Sequence, residues 1–155
     1  MITLYEKQQR LIFHEGLRLK PYRCIEGKWT IGVGRCLDTN PLTEVEKRVV
    51  GDVWGGITKN AALFLLRNDL EKVEKQCSDL VCWGVLDDER RYALIDMAFQ
   101  LGFNGLCKFK NMLSALEKND YITASKECLD SNYAKQTRNR AERISRLIKT
   151  GRWVL

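Results

Sequence analysis

A chain of 155 residues that is 45% apolar and 30% charged, with two prolines and no repeat or low-complexity tract, carries enough apolar surface for one core and excludes disordered, collagenous and solenoid classes. Its net charge of +6, from 26 basic and 20 acidic residues, favours a polyanionic partner: a bacterial wall, an anionic lipid face or nucleic acid. No stretch is apolar for long enough to serve as a signal or membrane segment, so synthesis in a reducing cytosol is expected, with the six cysteines acting as small hydrophobes and not as a disulfide framework.

In chain order, Thr3 followed by Glu6 forms a capping box, and Leu4, Tyr5, Leu11 and Ile12 share one face of a helix that Gly16 ends. From Leu17 to Leu37 short runs of Tyr, Trp, Thr, Ile and Val, broken at Glu26-Gly27, Gly32 and Gly34, predict a small antiparallel hairpin sheet. After Thr58 the stripe Leu63, Leu66, Leu70, Val73, Cys77 marks a long helix of about 30 Å. Residues 87–101 are apolar nearly all round after Tyr92, as a central buried helix requires, and Gly102 is placed to stop it. Three more helices follow, at about 108–118, 121–130 and 138–149, the last capped by Thr137 and closed by Gly151. The fold class is therefore α+β within one catalytic domain, 1–155. It comprises a sheet lobe at about 15–57, a connecting helix at about 58–79, and a helical lobe at about 80–155 that also takes the N-terminal helix 1–13. A cleft between lobes is the expected ligand site.

Glu15 is followed nine residues on by Cys24, six later by Thr30, and then by Gly32-Val33-Gly34. With residues 93–102, ALIDMAFQLG, and residues 136–153, QTRNRAERISRLIKTGRW, in the same order, the chain resembles the tailed-phage lysozymes, the muramidases of glycoside hydrolase family 24 used as endolysins. The resemblance covers nearly the whole chain. It implies a two-lobed lysozyme-like fold and cleavage of the β-1,4 bond between N-acetylmuramic acid and N-acetylglucosamine in peptidoglycan, without cofactor or metal.

Breaking that bond needs a proton for the leaving oxygen and help for the charge developing on the ring. The resemblance makes Glu15 the general acid, which must hold its proton near neutral pH, as partial burial favours. Cys24 departs from the family's commoner Asp, as some members do. Its thiol can act as a nucleophile, or as a base for a water held by the Thr30 hydroxyl, which both gives and accepts hydrogen bonds. A thiol with an ordinary pKa near 8.5 is only a few per cent ionised at pH 7, so either role needs a basic neighbour or an alkaline optimum. The resemblance also pairs Arg140 with the acid, lines the cleft with Leu37, Phe99, Gln100, Gln136 and Arg140, and sets a structural salt bridge between Arg35, where relatives tend to have His, and Asp69.

Other readings are weaker. Cys77 and Cys82, with Cys107 and Cys128, are too loosely spaced for a zinc site. A Cys24-His14 dyad lacks an orienting Asn or Asp. The basic run Lys135, Arg138, Arg140, Arg143, Arg146, Lys149 and Arg152, opposed only by Glu142, serves either as a solvated helix face or as a guide toward an acidic polymer. On that run alone rests the alternative to an enzyme: a catalytically silent wall-binding or nucleic-acid-binding module. The expected partners of the enzyme are peptidoglycan and a holin-type pore for export, without nucleic acid or stable membrane insertion. It is expected to be a monomer that moves from host cytoplasm to periplasm or cell wall.

Overall fold

The computed structural model describes residues 1–155 and has the α+β class, with nine α-helices and one three-stranded antiparallel sheet. Contacts divide the chain into a sheet unit, Thr3–Asp69, and a helical unit, Leu70–Leu155 with Met1–Ile2.

The sheet unit opens with α1 (Leu4–Glu15), whose Thr3 hydroxyl accepts from the Glu6 N–H while the Glu6 carboxylate accepts from the Thr3 N–H, the predicted capping box. Strands β1 (Arg18–Arg23), β2 (Trp29–Gly32) and β3 (Arg35–Cys36) follow in sheet order. Tyr22 lies opposite Thr30, Arg23 opposite Trp29, and Thr30 opposite Cys36, with a register shift in β1 between Arg18 and Tyr22. Alternation therefore sends Tyr22 and Thr30 to one face and Arg23, Trp29 and Ile31 to the other. Ile31 joins Val53, Ile57, Ala61, Ala62 and Leu65 in the core of this unit.

The N-terminal helix belongs to the sheet unit by its contacts, not to the helical part to which the sequence pattern assigns it. Gln8 Nε2 donates to the Leu63 carbonyl, and Leu11 is fully buried. Unforeseen too is α2 (Glu44–Val50), about two turns long, with its own capping box between Thr43 and Glu46. It was hidden because seven residues are too few for a periodic stripe to declare itself.

Helix α3 (Lys59–Cys77) begins after Thr58 and runs from the first unit into the second. In the helical unit, α4 (Asp88–Leu101), capped by Asp87 and ended by Gly102, is buried continuously from Tyr92 to Ala98. Around it lie α5 (Phe103–Cys107), α6 (Lys110–Glu117), α7 (Tyr121–Leu129), α8 (Asn132–Gln136) and α9 (Arg138–Thr150). The short α5 and α8 were not anticipated. Thr137 precedes α9 but does not cap it: its hydroxyl donates to the Tyr133 carbonyl and accepts from Gln100 Nε2. Arg90 fastens the end of α9 instead, donating to the carbonyls of Ile148 (2.7 Å) and Lys149 (3.2 Å) and to Asp87 (2.6 Å). On α9, Ala141, Ile144, Leu147 and Ile148 are buried while Arg138, Arg146 and Lys149 are exposed, so much of the basic run forms the solvated face of an amphipathic helix.

Candidate active site

Three of the predicted residues lie in the sheet unit on consecutive elements. Glu15 is the last residue of α1, half-buried, and Gly16 then turns the chain with φ +79°. Its carboxyl group lies against Gly34, in the turn between β2 and β3: a Cβ built at that glycine would sit 3.0 Å from Glu15 Oε2 and 3.2 Å from Cδ. Gly34 also has φ +66°, so both its backbone and its missing side chain make the acid's position possible.

Cys24 follows β1 at the start of a tight turn closed by Gly27 N–H to Cys24 O (2.8 Å) and Cys24 N–H to Lys28 O (2.9 Å). By alternation its side chain shares the face of Tyr22 and Thr30. Its thiol is held below the ordinary range mainly by the Lys28 backbone N–H, against a smaller opposing effect of burial, and further by the Glu26 N–H and the Thr30 hydroxyl. No basic side chain is needed, because a turn's backbone dipoles supply the stabilisation. Thr30, 4% exposed, also lies 3.2 Å from the Lys28 carbonyl. Its one hydroxyl proton can serve that carbonyl or the sulfur, and its lone pairs remain for a further donor.

Three buried cysteines behave differently. Burial pushes Cys77 and Cys128 up to about 12 and raises Cys82, which keeps them neutral and inert. All six are free. Cys36 lies on β3 and Cys24 beyond β1, on opposite sides of β2, so their Cα atoms are separated by two ladder spacings of roughly 9 to 10 Å, beyond the reach of a disulfide.

Tyr22 is a member of this constellation that sequence reasoning missed. Burial first, and then the charges of Glu15 and Cys24, raise its phenol above the ordinary range, while the Arg18 guanidinium, 4.1 Å from the ring centroid, works the other way. Tyr22 thus feels both candidate catalytic groups at once. Hairpin alternation, two residues back from Cys24 and across from Thr30, was the signal available for finding it.

Arg35 is 4% exposed and spends its guanidinium wholly within the protein. It donates to Asp69 (2.9 Å), to both oxygens of Glu46 (2.7 and 3.1 Å), and to the carbonyls of Asn40 (2.7 Å) and Pro41 (3.2 Å). Glu46, which the sequence did not flag, is thus a bidentate partner as well as the acceptor for the Thr43 N–H in the capping box of α2. Burial opposes its ionisation, yet hydrogen bonds from Arg35, the Thr43 N–H and Asn68 bring it down to about 2. Leu37 packs beside the core of this unit.

The remaining predicted residues lie in the helical unit. Arg140 donates through Nε to the buried Asp96 (2.9 Å), whose other oxygen accepts from Tyr92 (3.0 Å). Asp96, fully buried, is a partner for Arg140 that the sequence did not reveal. Gln100 donates to Thr137 (3.1 Å), while its Oε1 is buried without a hydrogen-bond partner. Phe99 is half-buried on α4. Gln136 lines a cavity of about 620 Å³ together with Leu101, Lys108, Phe109 and Tyr133, and the Tyr133 hydroxyl is likewise buried and unpartnered. No group of His, Cys, Asp and Glu is arranged to hold a metal ion.

Comparison with known proteins matches residues 13–147 to the family described as Phage lysozyme. The chain is 34% identical over 152 residues to the pre-baseplate central spike protein Gp5 of Enterobacteria phage T4, covering 88% of this chain but 26% of that protein. The chain thus spans about a quarter of that relative's length. It is 30% identical over 156 residues to the probable T4-type lysozyme 1 of Dictyostelium discoideum, with 91% of this chain and 92% of that protein covered. With an endolysin of Acyrthosiphon pisum secondary endosymbiont phage 1 it shares 30% identity over 122 residues, 79% of this chain and 74% of the endolysin. Matched over most of its length, the chain belongs to the phage lysozyme family.

Proposed function

We propose that this chain is a muramidase that hydrolyses the β-1,4 bond between N-acetylmuramic acid and N-acetylglucosamine in peptidoglycan, and that it acts as an endolysin in host cell lysis. The observation that carries the reading is the grouping, in one unit, of a carboxyl group seated on Gly34 and, on one face of the hairpin, the Cys24 thiol, held below its ordinary range, and the Thr30 hydroxyl. Family membership supplies the substrate class.

Glu15 gives its proton to the leaving glycosidic oxygen as the bond from the anomeric carbon breaks. The Thr30 hydroxyl holds a water, and the Cys24 thiolate takes that water's proton as its oxygen bonds to the anomeric carbon. The product is then the inverted anomer. A thiolate base suits the site because backbone N–H groups lower the thiol without a competing cation. Arg140, Phe99, Gln100, Gln136 and Leu37 are assigned to binding and orienting the glycan. No helix is long and apolar enough to cross a membrane, and a holin-type pore is the proposed route to the wall.

Clearing of permeabilised Gram-negative cells tests the reading. The parent protein should clear the suspension, and Glu15→Gln should slow clearing by about 10³-fold while melting at the parent temperature. A silent binding module would leave the turbidity unchanged in both.

A further inference from the structure

The face of the sheet opposite Cys24 and Thr30 carries an aromatic cluster with no part in the chemistry above. Trp54 sits in a 3-10 turn, Val53–Gly55, between the buried Val53 and Gly56, and Asp52 accepts from its N–H (3.1 Å). The turn is fixed, yet the Trp54 side chain is 58% exposed. It meets Trp29 edge to face with ring centroids 5.0 Å apart, and the Arg23 guanidinium lies 4.3 Å over the Trp29 ring, held by a 2.7 Å bond to the Gly27 carbonyl. Lys20 passes over Gly56, where an added Cβ would come within 3.6 Å of its Cγ. The carboxylates of Asp52 and Asp38 are engaged as acceptors for the backbone N–H groups of Trp54 and Trp29.

Packing does not require an indole to stand more than half in water, and doing so leaves an apolar surface unburied. A rigid exposed indole whose ring neighbour Trp29 carries the Arg23 guanidinium matches a polymer that offers both apolar pyranose faces and carboxylates. Peptidoglycan does so, through the CH faces of its sugars and the acids of its stem peptides. We propose that Trp54, backed by Trp29 and the Arg23 guanidinium that lies over it, is a second glycan-binding site that holds the protein on the wall away from the catalytic residues. The choice of occupant rests on the muramidase reading; the platform itself is read from a different face.

The test uses the full chain carrying Glu15→Gln, pelleted with purified sacculi so that binding is measured without digestion. Adding Trp54→Ala should weaken retention about tenfold, the scale of an interface tryptophan, and Trp54→Tyr, which restores a flat ring, should recover most of it. With Glu15 intact, Trp54→Ala should hydrolyse a short soluble oligosaccharide at the parent rate. Retention unchanged by Trp54→Ala, or lost equally in Trp54→Tyr, overturns the proposal. If the parent fails to cleave the oligosaccharide, the muramidase reading falls, while the pelleting result still decides the platform.

Discussion

A Cβ at position 34 would meet the Glu15 carboxyl at 3.0 Å, and the backbone there has φ +66°, so Gly34→Ala faces both a clash and strain. The backbone term costs about 1 to 2 kcal/mol, and displacing a catalytic group by an ångström costs about 10²-fold in rate. Gly34→Ala should therefore fold with a lower melting temperature and lose about 10²-fold in sacculus hydrolysis. Gly27→Ala, with φ +79° and no atom within 4 Å of the added Cβ, should show the strain without the loss of rate. At Cys24 the donors of the turn and Thr30 hold the thiol below its ordinary range, so alkylation by iodoacetamide should reach half its limiting rate at a lower pH than in a short cysteine peptide. Thr30→Val should move that midpoint upward. Replacement by Asp, with a still lower pKa, should shift the acid limb of the activity profile downward; matching profiles would count against the thiolate.

Between elements, buried charge does the joining. Arg35 ties β3 to α2 through Glu46 and to α3 through Asp69. Glu46 titrates lower in the folded than in the unfolded chain, so its contribution is complete above about 4.5 and is lost as pH falls toward about 2. Arg35→Met would leave two buried carboxylates uncompensated, a loss of about 3 to 5 kcal/mol at pH 7 and roughly 10 °C in melting temperature. That deficit against the parent should shrink between pH 4.5 and 2, because the parent alone loses the Arg35 pairing there. In the helical unit Arg90→Ala should cost about 2 kcal/mol by abandoning the last carbonyls of α9. The partners in these networks separate what the sequence could disclose from what it could not. The cap at Thr3, the stripe along α3 and the stop at Gly102 are local, and local spacing records them. Glu46 with Arg35, and Asp96 with Arg140, are joined across 11 and 44 residues, and no local pattern marks which carboxylate meets which guanidinium. Thr137 shows the opposite failure: its type fits a cap, but Gln100 and Tyr133 claim its hydroxyl.

Over the whole molecule, the α+β order was legible because periodicity switches from two to 3.6 after Thr58 and stays there. The grouping of α1 with the sheet was not, since an amphipathic helix shows that it has a buried face but not what buries it. Glu15, Cys24 and Thr30 became candidates through the family resemblance that their spacing carries, whereas Tyr22 comes into view only through strand register. With Glu15 as the proposed acid and Cys24 as a base activating a water, one displacement occurs at the anomeric carbon. Proton NMR of the anomeric centre in freshly released product reads this most directly. The α-anomer should form first, with mutarotation following, and Glu15→Gln should release none. Initial appearance of the β-anomer would contradict it, because retention requires a covalent intermediate in place of the activated water.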